Sequence, residues 1–536
     1  MSQEQNSGLL LTPERLYWLL AAALGVWVVW DALVFQLVTY SPHADYWEHT
    51  AVLTEWLRGL SDPANPHVLS EVGSSRYMPF FYVLTWFGIL TGLDSVQLMG
   101  VAAVINYGLI IAGIYLFFRE YMQHRYAPVL AFCVLFFAWG VSWNWSNLYQ
   151  LRSFFYIAGY PSSFVFGLSL LSFWLTLRFL KGRVNEVAGS LLLLFLAALM
   201  FVCHPLTGVF GIAGCGLLAL VETRSSLKLR GIVMAAMLFG ALGAELWPYF
   251  SVWDVVLGRN GIDETSWAHE DGGIIERIRS GVWKHIFYNP ALLLVIMGAG
   301  WLAVGAWGYL LLKRREPFIV LGGIAMLIPY FAHIFISVPL AHRFLLFAIF
   351  FFHMAAVRVL LDWLDASAKD GRRLARVSVV AGLGLLGVFN VALLAGDFIG
   401  QHFTPKRLNF VDKFANIPGG GTVVDLYAEL TAGVAAYDVV LTDGATGWPL
   451  PTVTGKVVSM YHENPLVTDQ FPRADAVAAF FTEGQRERVR KDILKQYEVA
   501  YVLARTGNVS PELLLWLDSI AEITAERGDY RMYRLR

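Results

Sequence analysis

The chain has 536 residues, 57% of them hydrophobic and only 15% charged, with a formal net charge of -1. A charged share so far below the soluble norm of about 25% excludes an ordinary soluble domain. The balanced charge argues against a nucleic-acid partner.

Apolar runs of about 18 residues or more recur from Leu16 to Ala395, which predicts a polytopic α-helical membrane protein. The first run is too long for a signal peptide and no small-residue cleavage site follows it, so it reads as a helix. Basic clusters punctuate the runs: Arg119 with Arg125, Lys181 with Arg183, Arg224 with Lys228 and Arg230, Lys313 to Arg315, and Lys369 with Arg372, Arg373 and Arg376. The positive-inside rule is satisfied when all five clusters and the N-terminus lie in the cytoplasm. The spans then run near 16–40, 96–118, 126–144, 161–180, 186–203, 205–222, 231–250, 289–312, 317–338, 344–361 and 377–396, or about eleven transmembrane helices. Met78–Leu90 is too short to span and suits an interfacial or re-entrant helix. Cys133, Cys203 and Cys215 all fall in apolar runs, with neither disulfide nor metal spacing, and read as packing residues.

This topology divides the chain into a transmembrane module, 1–396, and a C-terminal extracytoplasmic α/β domain, 397–536. The module carries a first outer loop at 41–95, with juxtamembrane helices, and a second at 251–289. In the first loop, Ala51–Arg58 is amphipathic and suits the headgroup plane. The Pro-rich stretch Asp62-Pro63-Ala64-Asn65-Pro66 follows it. In the tail, strands are expected at Thr422-Val423-Val424, Val439–Leu441, Val457–Met460 and Val499–Leu503, with a charged helix over Glu483–Gln496. Gly419-Gly420-Gly421 lacks the spaced glycines of a dinucleotide site.

The chemistry-bearing residues gather near the predicted outer surface. His43-Ala44-Asp45-Tyr46-Trp47-Glu48-His49 puts two carboxylates and two imidazoles just after the first span, a costly placement without a function. Asp45 suits a general base, because desolvation there raises a carboxylate pKa. It equally suits the N-cap of the following helix. Glu48 and His49, at i+3 and i+4, share its face and could assist it or bind a metal, or simply form a solvated helix end. Arg343, with His342 beside it, could grip phosphate through its planar fork or snorkel to headgroups. Arg76 and Arg152 are further outer-side cations, and the aromatic surroundings of Arg152 (Trp143, Trp145, Tyr149, Phe154, Phe155, Tyr156) read as an interface belt or a sugar platform. His204, before Pro205, reads mainly as a structural hydrogen-bonding residue, with assistance at the site as the alternative. Glu245 and Asp31 fall within spans, where ionisable groups face the interior. Asp263, Glu264, His269, Glu270 and Asp271 could hold a divalent cation, Mg or Mn, through oxygen ligands. They have no recognised metal spacing, so a flexible solvated loop is the simpler reading.

The layout as a whole resembles the GT-C superfamily of membrane glycosyltransferases. The likeness is carried by Asp45-Tyr46-Trp47-Glu48-His49, Tyr77-Met78-Pro79-Phe80-Phe81-Tyr82 and His342-Arg343-Phe344. It implies a polyprenyl-phosphate-linked sugar as donor, a glycan, lipid or protein as acceptor, and inversion at the anomeric carbon. Asp45 would be the base, and Arg343 would bind the donor phosphate. The first loop lacks an Asp-x-Asp, which leaves metal dependence open, and the chain lacks the Trp-Trp-Asp signature of oligosaccharyltransferases. The expected location is the plasma (inner) membrane, with the tail periplasmic. The competing readings are a flippase or transporter of lipid-linked glycans, and a non-catalytic assembly subunit with the same fold.

Overall fold

A computed structural model describes residues 12–32, 45–139, 149–257, 297–333, 335, 338, 340–369, 373–403, 422–462, 464 and 466–536. Its contacts divide the chain into two units. One comprises Met1–Val28, Val104–Ala244 and Thr265–Asp397; the other comprises Val29–Ala103, Glu245–Glu264 and Phe398–Arg536. The first loop thus groups with the tail, although 300 and more residues separate them in sequence.

The first unit is a bundle of apolar helices. Over the whole chain, five described helices are long and apolar enough to cross a membrane: Ser95–Met122, Pro161–Leu180, Glu186–Cys203, Leu227–Leu246 and Arg343–Ser367. A sixth is reached if Gly300–Leu312 and Pro317–Ala332, bent by 116° at their junction, form one broken span. Ala127–Phe137, Pro205–Val221 and Ala381–Leu393 are shorter apolar helices of the same unit. The protein is therefore multi-pass. Close helix approach depends on missing side chains: a Cβ on Gly240 would stand 2.6 Å from that of Ala197, so Leu227–Gly243 packs backbone to backbone on Glu186–Cys203. No disulfide joins Cys133, Cys203 and Cys215.

The second unit is built on a five-stranded sheet of order β2-β1-β3-β5-β4. The strands are β1 Val439–Leu441, β2 Lys456–Val457, β3 Val499–Arg505, β4 Ala521–Arg527 and β5 Tyr530–Leu535. β1 pairs parallel with β2 and β3, while β3–β5 and β5–β4 are antiparallel. Parallel pairing needs a crossover, and the short helices Gly444–Gly447 and Leu450–Val453 provide the one between β1 and β2. Gly528, at φ 61, makes the tight turn between β4 and β5. Leu441, Val502, Tyr533, Phe480, Leu513 and Leu517 form the core between the sheet and its helices.

Three tail expectations change. The strand expected at Val457–Met460 is the two-residue β2, Lys456–Val457, and Val458–Met460 lie beyond it. Val423-Val424 lie in a helix, Val423–Leu430, because Thr422 and Asp425 form a reciprocal capping box that outweighs the β-branched pair. The charged helix starts at Glu487 rather than Glu483, since Gly484 sits at φ 70 ahead of it.

The first loop supplies two helices to this unit, Tyr46–Arg58 and Pro79–Thr91. The second matches the 13-residue apolar helix expected there. The first is not an amphipathic helix laid open on one side: Trp47, Val52, Leu53, Trp56 and even Glu55 are buried. It packs on Leu450–Val453, with Thr50 Oγ1 2.7 Å from Thr452 Oγ1 and Thr54 Oγ1 donating to the Thr452 carbonyl at 2.9 Å.

Candidate active site

Asn65 shapes the connection between the two first-loop helices. Its Oδ1 accepts from the His67 and Val68 amides, and its Nδ2 donates to the Val72 and Gly73 carbonyls. This side-chain turn holds Val68 in a parallel bridge with Val457, so the first loop extends the tail's sheet beside β2. The same turn aims His67 at the helix Tyr46–Arg58.

Asp45 occupies the N-cap position of that helix, but its side chain makes no capping hydrogen bond. Its backbone, at φ -69 and ψ 5, is near-helical rather than extended, which takes the carboxylate away from the first-turn amides. The simple capping reading therefore fails. The carboxylate is 38% exposed, and its Oδ1 lies 3.5 Å from His462 Nε2 in the tail.

Glu48 has the opposite surroundings. It is 2% exposed, which rules out a solvated helix end. Trp448 Nε1 donates to its Oε1 at 3.0 Å; His67 Nε2 lies 3.0 Å and Arg76 Nε 3.6 Å from its Oε2. Burial alone would raise its pKa. The charge and hydrogen bond of His67, with Arg76 and His462 behind them, outweigh burial and hold the carboxyl well below the usual carboxylate range. A buried, paired carboxylate that holds its proton so weakly is a poor base. Asp45 stands one turn away and is partly exposed. His49 is buried against the Phe81 ring, at 5.1 Å between centroids.

A second buried charge cluster stands about two turns further on, at Glu55. Arg58 Nη1 at 3.0 Å, Lys456 Nζ at 2.8 Å and the Tyr437 hydroxyl at 3.1 Å all donate to it. Lys456 also donates to the Asn65 carbonyl and is fully buried. Burial pushes the Lys456 ammonium down to about 8, against the opposing pull of Glu55. Neither this pair nor the partners of Glu48 was foreseen. Lys456 and Trp448 sit in unremarkable stretches of the tail, and about 400 residues separate them from their carboxylates.

The other candidates fall elsewhere. Arg76 belongs to the second unit, with its charge partly met by Glu48. Arg343 and His342 lie on the helix Ala341–Lys369 and Arg152 on Leu151–Ile157, all in the first unit. His204 caps the helix Pro205–Val221: its Nδ1 accepts from the Thr207 amide at 3.2 Å and lies 2.8 Å from the Thr207 hydroxyl. Glu245 ends the helix Leu227–Leu246 instead of facing a bundle interior; it is exposed and accepts from the Trp253 amide. Tyr149, Phe154 and Phe155 are buried, with Tyr149 stacked on Phe166, so these rings form neither an interface belt nor an open platform. Asp263, Glu264, His269, Glu270, Asp271, His43, Trp143 and Trp145 lie outside the described residues. Among the described residues no group of three or more His, Cys, Asp or Glu side chains could hold a metal ion.

No protein-family model matches the chain, and no characterised protein matches it by sequence. Solved structures do match in fold. ArnT from Cupriavidus metallidurans, bound to undecaprenyl phosphate, is similar at 15% identity and TM-score 0.52, over 96% of this chain and 97% of its own. The arabinofuranosyltransferase AftD from Mycobacteria is similar at 15% identity and TM-score 0.55; the alignment covers 97% of this chain but only 40% of that longer one. The Archaeoglobus fulgidus oligosaccharyltransferase AglB, in complex with an inhibitory peptide and a dolichol-phosphate, is similar at 12% identity and TM-score 0.50, over 92% of this chain and 70% of its own. These matches show that the chain shares the fold of these glycosyltransferases, the GT-C fold expected from the resemblance.

Proposed function

We propose that the protein is a membrane glycosyltransferase that moves a sugar from a polyprenyl-phosphate donor to a glycan, lipid or protein acceptor at the outer face of the membrane, with inversion. The observation that carries this reading is the Asp45 carboxylate. It stands at the head of the first-loop helix, unused as a cap and partly exposed, in a chain with the GT-C fold. In the reaction, the acceptor hydroxyl gives its proton to Asp45 as its oxygen bonds to the anomeric carbon. The bond from that carbon to the phosphate oxygen breaks, and polyprenyl phosphate leaves with the electron pair. Arg76, Arg152, His342 and Arg343 are the cations offered to the phosphate. His204, Glu48 and His49 are secondary, and a Mg or Mn ion on the 263–271 cluster is optional. About eleven spans, a cytoplasmic N-terminus and a periplasmic tail on the plasma membrane complete the reading; the basic clusters support it. The lipids held by ArnT and AglB support the donor class.

The test is release of polyprenyl phosphate by the purified full chain, supplied with polyprenyl-phosphate sugars and candidate acceptors. Asp45→Asn should lower turnover by about 10²–10⁴-fold, the usual contribution of a positioned base, while leaving the thermal unfolding midpoint unchanged. Equal turnover by the variant removes Asp45 from the mechanism. A donor that is carried across the bilayer intact, and never cleaved, favours the flippase.

A further inference from the structure

Beside Asp45 the tail presents a stack of rings that the reaction as written does not use. Trp448 and Tyr461 lie face to face, 4.2 Å between centroids and 26° from parallel. His462 meets both edge-on, at 4.9 and 5.0 Å. Trp448 is buried at 6% exposure and its indole N–H is fixed by Glu48, so the lower ring of the stack is held rigid by the ionised carboxylate beneath it. Tyr461 is 37% exposed against 6% for Trp448, so it is the accessible member of the stacked pair. His462 Nε2 reaches towards Asp45 Oδ1 at 3.5 Å, which sets the stack's polar edge next to the candidate base.

We propose that Tyr461, backed by Trp448 and edged by His462, is the platform for a sugar ring of the acceptor, so that the acceptor is a glycan. The inference rests on the glycosyltransferase reading and deepens it. An aromatic face carries partial negative charge and attracts the slightly positive C–H face of a pyranose or furanose. The imidazole and carboxylate at the rim suit the hydroxyls that project from the ring's edge. A lipid tail would need an apolar groove; here the exposed ring is bordered by a carboxylate and an imidazole. An extended peptide would be recognised by adding a strand to a free sheet edge; among the described residues that edge is β4, at the opposite side of the sheet from β2, which Val68 bridges and which the ring stack follows in the chain. A sugar face on Tyr461 would orient its hydroxyl towards Asp45, which acts on the proton. Tyr461 is thus a specificity-determining residue, and Trp448 positions it.

The experiment uses the full chain in detergent, with methyl α-D-mannopyranoside, methyl β-D-galactopyranoside and methyl α-D-arabinofuranoside as probes. Saturation transferred from protein to the sugar ring protons is the readout. Wild type and Tyr461→Phe should transfer saturation to the C–H face of at least one glycoside. Tyr461→Leu, which keeps an apolar surface without the π face, should bind it about 2- to 10-fold more weakly, the worth of one aromatic contact. Equal binding by wild type and the Leu variant overturns the platform, as does the absence of transfer to all three probes in wild type. Polyprenyl-phosphate release is measured on the same samples. Release with no Tyr461-dependent glycoside signal sinks the platform and leaves the transfer reading standing. A Tyr461-dependent signal, with no release from any donor, supports the platform and sinks the transfer reading.

Discussion

The two units differ in the polar groups they bury. In the helical bundle the helix starts are capped locally, Glu186–Cys203 by Asn185, Leu227–Gly243 by Ser226 and Pro205–Val221 by His204, and the buried amides Asn106 and Asn390 donate to backbone carbonyls, those of Ala158 and Phe137; no Asp, Glu, Lys or Arg is buried there among the described residues. In the second unit two carboxylates, Glu48 and Glu55, are buried on one helix and satisfied by residues from the far end of the chain. Local satisfaction leaves a signature in sequence. Long-range satisfaction leaves a chain that looks wrongly polar until it is folded. It also means that the first loop and the tail sheet form one cooperative structure, because neither buries its charges without the other.

The largest effect expected on stability tests that interdependence. Lys456→Met leaves the Glu55 carboxylate buried with Arg58 and Tyr437 but without its ammonium. Breaking a buried pair from one side costs about 3–5 kcal/mol, and the lower end suits a site that keeps Arg58. The thermal midpoint of the purified chain should fall markedly. The double variant Glu55→Leu with Lys456→Met should recover most of the loss. If the double variant is as unstable as the sum of the single ones, the two residues are not coupled and the comparison fails.

Glu48 gives the next effect, and it depends on pH. Its folded carboxyl gives up its proton more readily than the ordinary value of 4.5 implies, so folding favours the ionised form. The stability it contributes is fully present above that value and is lost as the pH falls below it towards the folded pKa. Glu48→Gln should therefore melt below wild type at neutral pH, and the gap should close on acidification. A gap that stays constant as the medium is acidified would show that the charge itself contributes nothing.

The same contrast explains what could be read from the sequence. The apolar runs and the 13-residue helix Pro79–Thr91 follow from composition and length, and β1 and β3 from β-branched runs. Val423-Val424 misled because a four-residue capping box, Thr422–Asp425, outweighs the propensity of two valines. Asp45 could be singled out because a cluster of carboxylates and imidazoles next to an apolar run is anomalous by itself. Trp448, Lys456, Tyr461 and His462 could not, since nothing near them in sequence is unusual. Their meaning comes from which first-loop residues they face, and periodicity carries no information about pairing across 400 residues. Glu48 shows the cost of reading proximity as function: its i+3 spacing from Asp45 is real, yet its surroundings are a sealed core.

The smallest effect sharpens the local half of the comparison, at His204. The cap to Thr207 makes it a helix-start residue, and losing such a cap costs about 0.5–2 kcal/mol. His204→Ala should lower the thermal midpoint slightly, and His204→Asn should restore it, because a short amide side chain caps the same amide. Imidazole chemistry would behave differently, since Asn neither titrates near neutral pH nor shuttles a proton. If polyprenyl-phosphate release follows stability, falling a little in the Ala variant and returning in the Asn variant, His204 serves the helix alone. If release stays low in the Asn variant while its midpoint recovers, a titratable group in the bundle takes part in the chemistry. The division between a bundle whose polar residues serve its helices and a charge-bearing second unit would then be wrong where it is simplest.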